Sequence, residues 1–315
     1  MTRRILLVAH PRRVEAQQFA GEVAGQLHAA GLQVAVLPDA AEATILRGGP
    51  DIVTVDPNDP TKGCELVCVL GGDGAILRGA ALSRGTQAPL LGINLGHVGF
   101  LAEAEREKLL ETVEHIVARD YVVEERMTLD VTATHDGEVL ARSWALNEVT
   151  VEKAARERML ELTLEIDGRP LSTCGCDGVV MATPTGSTAY AFSAGGPVIW
   201  PDVEAMLVVP ISAHALFARP LVVGPSSVLA IELVAGADGT AVMWCDGSRK
   251  VELPHGARID VCRSDTPVRL ARLSSWPFAD RLVAKFDLSV TGWRGASRRN
   301  HGGSDAAVSG GPGRV

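Results

Sequence analysis

Residues 65–74, Glu-Leu-Val-Cys-Val-Leu-Gly-Gly-Asp-Gly, join an unbroken apolar run to a glycine-rich turn. A short apolar run bounded by turn residues is the pattern of a strand covered on both faces, as in a parallel sheet. Residues 75–82 follow at once with helical spacing. Gly71–Gly72–Asp73–Gly74 is therefore expected at a strand-to-helix turn on the carboxyl edge of a parallel sheet, where open α/β folds bind their ligands. Working outward, 3–9, 32–37 and 89–93 read as further strands, and 14–30 and 106–118 as helices. Residues 1–125 are expected to form an α/β domain with a parallel sheet. Within it, 38–63 is rich in Asp, Pro and Gly with little periodicity and reads as a mobile surface excursion before the next strand.

After Tyr121 the texture changes to short β-branched and aliphatic runs punctuated by Asp-Gly at 136, 167, 238 and 246. Asp-Gly between such runs is a hairpin signal, so residues 126–275 are expected to form a mostly β domain. Residues 276–288 regain helical spacing, and 276–295 is expected to pack back on the first domain. Residues 296–315 are polar and glycine-rich, unable to bury a core, and are expected to be a disordered tail. No repeat of 20 to 50 residues is visible.

Composition narrows the function classes. The chain has 315 residues, 46% hydrophobic and 22% charged, as an ordinary globular protein of about two domains does. No apolar run approaches the ~20 residues of a membrane span. A net charge of -8 and only 4% aromatic residues oppose phosphate backbones and base stacking. Neither a membrane nor a nucleic acid is an expected partner. The start, MTRRILLVAH, has no signal-peptide pattern, so a cytoplasmic location is expected. The six cysteines include no Cys-x-x-Cys pair and are expected to be reduced thiols.

Several motifs can carry chemistry. In the Gly71–Gly74 turn, glycines let backbone N–H groups approach a phosphate, yet Asp73 would repel a bare one. Asp73 therefore suits a hydroxyl or a metal-bound phosphate, or it merely caps the helix. The turn matches neither GxxxxGK[ST] nor GxGxxG. Asn94-Leu95-Gly96-His97-Val98-Gly99-Phe100 is a second glycine turn at the same sheet edge, with His97 read as an exposed loop residue. Ala145-Leu146-Asn147-Glu148 sets an amide beside a carboxylate, a pair able to recognise a ribose diol. Residues 183–197, TPTGSTAYAFSAGGP, crowd hydroxyls and glycines at the start of a short helical segment, which suits phosphates and sugars. Asp177-Gly178 reads equally as a turn or a ligand contact. Arg78 and Arg158 can each meet a pyrophosphate or simply solvate a surface.

GGDG after a strand, NLGxxGFLAE, ALNE, CDG and TPTGSTAYAFSAGGP, in this order, resemble the NAD kinase family over about residues 65–293. GGDG alone is shared with phosphofructokinases and lipid kinases; TPTGSTAY with SAGGP is the specific part. The resemblance implies the two-domain NAD kinase fold, a homodimer or homotetramer, and Mg2+ as cofactor. The implied reaction moves the terminal phosphoryl group of ATP, or in some members polyphosphate, to the 2′-hydroxyl of the adenosine ribose of NAD. By resemblance, Asp73 is catalytic, with Gly74 beside it at the ligand. Asn147 and Glu148 hold NAD, Asp177 reaches it, and Thr188, Ala189, Tyr190, Ala191, Phe192 and Ser193 line it; Arg78 and Arg158 are basic contacts. No protein side chain is assigned to a metal. Ala75 stands where members usually carry Thr or Ser, and His97 where Arg is frequent.

Overall fold

A computed structural model of the chain describes residues 2–10, 13–39, 52–95, 99–154, 159–216, 218–234, 240–273 and 277–290. The expected tail and the Asp238-Gly239 turn lie outside the described residues. The first half runs β1 (Arg4–Ala9), α1 (Val14–Ala29), β2 (Gln33–Val36), β3 (Ile52–Thr54), β4 (Leu66–Leu70), α2 (Asp73–Ser83), β5 (Leu90–Asn94), β6 (Ala104–Glu105), α3 (Leu109–Ala118) and β7 (Val122–Arg126). The second runs β8 (Leu129–His135), β9 (Glu138–Ala145), β10 (Glu148–Lys153), β11 (Leu160–Ile166), β12 (Arg169–Cys176), β13 (Gly178–Ala182), α4 (Tyr190–Ser193), β14 (Met206–Ile211) and β15 (Leu221–Val223). It closes with β16 (Leu229–Leu233), β17 (Ala241–Cys245), β18 (Arg249–Leu253), β19 (Arg258–Arg263), β20 (Val268–Arg272) and α5 (Phe278–Phe286).

The first sheet has the order β3-β2-β1-β4-β5-β20-β7, parallel from β3 to β20 and antiparallel between β20 and β7. Because successive strand residues face opposite ways, Ile5 and Leu7 pack with Phe19, Val23 and Leu27 of α1 on one face. Leu6 and Val8 pack with Ile76 and Ala80 of α2 on the other. The 38–63 excursion is not without structure: Ile52–Thr54 adds a parallel strand beside β2. Three residues show too little periodicity to be recognised alone, and it is the pairing with Val34, Ala35 and Val36 that makes them a strand. β20 enters the first sheet between β5 and β7. The helix expected in 276–288 is α5, which belongs to a second compact unit.

The second half is a sandwich of two antiparallel sheets, β12-β11-β16-β19-β8-β9 and β15-β14-β13-β10-β17-β18. Leu129, Val131, Leu162, Val149, Val151, Met181 and Met243 are among the side chains that fill the space between them. Its hairpins turn where Asp-Gly stands: Asp136 and Gly137 have φ 50 and 80, Asp167 and Gly168 53 and 70, Asp246 and Gly247 50 and 62. Positive φ at both central residues suits the right-handed twist of the flanking strands.

The structure also shows a repetition that is not visible in the sequence. The β8–β9 and β11–β12 hairpins match strand for strand at an offset of 31 residues (Leu129 against Leu160), with the same sequence of buried and exposed positions. Both break register at the equivalent place, Ala133/Thr134 and Leu164/Glu165. The repetition lies in burial and turn geometry, with few identical residues. Among the described residues no helix is long and apolar enough to cross a membrane.

Candidate active site

The strand order of the first sheet reverses between β1 and β4, and the turn leaving β4 opens at that point. The Gly71 N–H donates to the Ile93 carbonyl at 2.9 Å, and Gly72 precedes α2 as its N-cap. Asp73 is thereby the first helical residue, its carboxylate at the positive end of the helix dipole. Gly74 is exposed beside it. The Leu101 N–H donates to Asp73 Oδ1 at 3.4 Å, and a Cβ built on Gly99 would lie 2.5 Å from the same oxygen. The two glycine turns expected at one sheet edge thus meet at Asp73. His97 lies outside the described residues.

Asn147 and Glu148 stand where the chain crosses from one sandwich sheet to the other, between β9 and β10, and each is only 7% exposed. Leu146, just before them, is buried in one core with Ile76 of α2 and with Leu101. Through Leu146 the Asn147–Glu148 segment thus shares a core with the helix that begins at Asp73.

The hydroxyl-rich segment is fastened to the same turn. Thr183 Oγ1 donates to the Leu146 carbonyl at 2.5 Å, and the Thr183 N–H donates to the Asn147 carbonyl at 2.9 Å. Gly186 N–H donates to Thr183 Oγ1 at 3.1 Å. Ser187 Oγ donates to the Pro184 carbonyl at 2.7 Å and accepts the Ile199 N–H at 2.9 Å. Thr188 Oγ1 donates to the Thr185 carbonyl at 3.3 Å. Residues Thr185–Thr188 form a short 3-10 helix, and these hydroxyls satisfy main-chain groups in it and on either side of it. Beyond it Tyr190 and Phe192 expose large parts of their rings, whereas Ala191 is fully buried against Val180 and Ala182.

Burial pushes the Glu148 carboxyl up to about 7, the negative charge of Asp246 adding to it and the Tyr190 N–H, 3.4 Å from Oε2, working against it. The Tyr190 phenol is raised by its own desolvation and by the charges of Glu152, Glu148 and Asp177. Asp177, between β12 and β13, is not a hairpin turn: the two strands lie in different sheets. A Lys153 hydrogen bond, Nζ to Oδ1 at 2.5 Å, holds its carboxyl below the usual range.

Two family models match: the N-terminal domain of ATP-NAD kinases over residues 5–121 and the C-terminal domain over 146–273. The chain belongs to the NAD kinase family. It is 58% identical to the NAD kinase of Leifsonia xyli over 301 residues, 95% of this chain and 99% of that relative. It is 55% identical to NAD kinase 2 of Streptomyces coelicolor over 294 residues, 93% of this chain and 97% of the relative. Its fold is similar to that of a yeast NADH kinase crystallised with NADH, with a TM-score of 0.84 and 25% identity over 92% of this chain and 89% of that one. An Archaeoglobus fulgidus NAD kinase crystallised with ATP shares the fold at a TM-score of 0.65 and 24% identity, over 91% and 99% of the two chains. The two-domain NAD kinase fold is therefore the fold of this chain.

Of the residues that the NAD kinase resemblance singled out, Asp73 and Gly74 open α2, Asn147 and Glu148 open β10, and the 188–193 stretch is joined to Glu148 through the Tyr190 N–H. Arg78 Nη2 lies 2.8 Å from Asp39 Oδ2 in an ion pair with both side chains partly exposed. Arg158 lies outside the described residues. Sequence reasoning missed Asp246, read only as the first residue of a hairpin turn. Its carboxylate accepts the N–H groups of Leu146 at 3.0 Å and Asn147 at 2.7 Å. The Asp-Gly dipeptide accounts for the turn equally well with or without that contact, so no local signal distinguishes it.

Proposed function

We propose that this chain is an NAD kinase that transfers the terminal phosphoryl group of ATP to the 2′-hydroxyl of the adenosine ribose of NAD. The observation that carries the reading is the packing of Leu146 with Ile76 and Leu101. It sets a buried amide–carboxylate pair, fit for a ribose, next to the helix that presents Asp73. Asp73 Oδ1 takes the Leu101 N–H, which leaves Oδ2 for a substrate hydroxyl. The ribose oxygen forms its bond to the γ-phosphorus as the bridging P–O bond to ADP breaks, and its proton passes to Asp73. Phosphoryl transfer has a loose transition state, so most of the rate comes from holding acceptor and donor in line.

Mg2+ fits this arrangement. Among the described residues no group of three or more His, Cys, Asp and Glu side chains could cage a metal. A single carboxylate beside open glycine N–H groups suits an ion that arrives on phosphates. The phosphates of ATP would hold it beside the glycine turn, and it would neutralise charge on the phosphoryl group. A cytoplasmic location and a homodimer or homotetramer complete the proposal, and light scattering tests the assembly.

Purified protein with NAD, ATP and Mg2+ is expected to form NADP, detected by a coupled dehydrogenase. Asp73→Asn is expected to bind NAD within a few-fold and to lose turnover by about a hundredfold or more. NAD lacking the 2′-oxygen of the adenosine ribose is expected to bind and yield no phosphorylated product. Phosphate on that analogue by mass spectrometry, or near-normal turnover of Asp73→Asn, overturns the assignment.

A further inference from the structure

Asp246 is a carboxylate for which the reaction above has no task. Its side chain is 1% exposed, and a buried charge persists only when its oxygens are satisfied. Oδ2 accepts the Leu146 N–H at 3.0 Å and Arg249 Nη2 at 2.8 Å; Oδ1 accepts the Asn147 N–H at 2.7 Å. The Asp246 N–H in turn donates to the Glu148 carbonyl at 3.0 Å. The main chain of 146–148 is gripped from both directions by one residue, itself held at φ 50. Arg249 also donates to the Trp144 carbonyl at 2.7 Å and stacks on the Trp144 ring at 4.6 Å from its centroid. Arg84, the residue that ends α2, stacks on the same ring at 4.6 Å. It is fixed by Ser264 Oγ at 2.6 Å and Asp130 Oδ1 at 2.9 Å.

We propose that Asp246, held by Arg249, is a positioning residue for NAD, aiming Asn147 and Glu148 through their main chain. Through Trp144 and Arg84 it ties their turn to the far end of the Asp73 helix. The inference rests on the NAD kinase reading. A bidentate acceptor is required, since an amide in its place offers one oxygen to two N–H donors and turns its NH2 group toward one of them. Arginine suits the place as well, because its Nη2 donates to a carboxylate and a carbonyl together while the guanidinium plane stacks on the indole.

Four variants of the full-length protein test this: Asp246→Asn, Arg249→Met, Arg249→Lys and Trp144→Leu. Asp246→Asn is expected to raise both Kd and KM for NAD about tenfold or more, with KM for ATP and kcat within about threefold. Arg249→Met is expected to do the same, and Arg249→Lys to recover part of the loss. Trp144→Leu is expected to lower kcat with KM for NAD little changed, since it loosens one group against the other. A pH profile separates aiming from mere support. Glu148 faces Asp246, Glu152 and the Tyr190 N–H and phenol, so removing the Asp246 charge is expected to move the pH dependence of NAD affinity to lower pH. If Asp246→Asn does not fold, the two Arg249 variants decide. Unchanged NAD affinity in a folded variant overturns the inference, as does a loss in kcat and both KM values that merely follows melting temperature. Absence of NADP formation by the wild-type chain would instead remove the NAD kinase reading.

Discussion

Gly186 lies so close to Asn147 that a Cβ built on it would fall 2.0 Å from the Asn147 carbonyl oxygen. The neighbour is main chain and is held there by the Thr183 N–H, so it cannot turn aside as a side chain can. Gly186→Ala is expected to destabilise the chain by about 3 kcal/mol or more and to impair NAD binding, because the two turns must part. Urea melts and titration calorimetry check this. A wild-type midpoint would show that the contact is not maintained in solution.

Gly99 offers the contrasting case. The atom that a Cβ there would meet is the tip of the Asp73 side chain, 2.5 Å away, which can rotate. Gly99→Ala is therefore expected to leave the melting temperature within a few degrees while lowering kcat at least about tenfold by displacing the carboxylate. Equal losses of stability and turnover would refute the distinction.

Glu148 makes stability depend on pH. Its carboxyl is raised from 4.5 to about 7, with burial the largest cause. The folded chain thus favours the protonated form. The stabilisation is complete below pH 4.5 and is lost as pH rises through about 7, on the order of 3 kcal/mol. Glu148→Gln is expected to raise the melting temperature of the ligand-free protein near pH 8, to change it little near pH 4, and to weaken NAD binding. Melts at both pH values with a binding isotherm give the answer, and an equal effect at both would contradict the shift.

Glu103, the last residue of the NLGxxGFLAE motif, lies 2.6 Å from Arg272 Nη1, its side chain 1% exposed. Arg272 joins it to Glu124 at 2.8 Å, so β20 is tied both to β7 and to the segment that touches Asp73. Arg272→Met is expected to cost about 3–5 kcal/mol by removing the guanidinium from a buried carboxylate. Adding Glu103→Leu is expected to restore part of that stability. Additive losses in the double variant, measured by urea unfolding, would deny the pair any coupling.

What the sequence by itself determined is what depends on neighbours within a few positions. An apolar run, a glycine turn and helical spacing suffice for β4, Asp73 and α2, because each is specified by local sterics and by the burial of one face. Asp-Gly at 136, 167 and 246 specifies its turns for the same reason, since few other residues accept positive φ in succession. The turns at 71–74, 145–148 and 183–197 were legible as motifs, with their proposed assignment to NAD supplied by family resemblance. Only the tertiary structure decided what rests on partners far along the chain. Ile52–Thr54 is a strand because β2 is there to pair with it, and β20 enters the first sheet because β5 and β7 leave a place between them. Asp246 serves the Asn147–Glu148 turn across about a hundred residues of chain. Its hydrogen bonds go to main-chain N–H groups, which every residue but proline has, so nothing in the side chains at either end announces the contact.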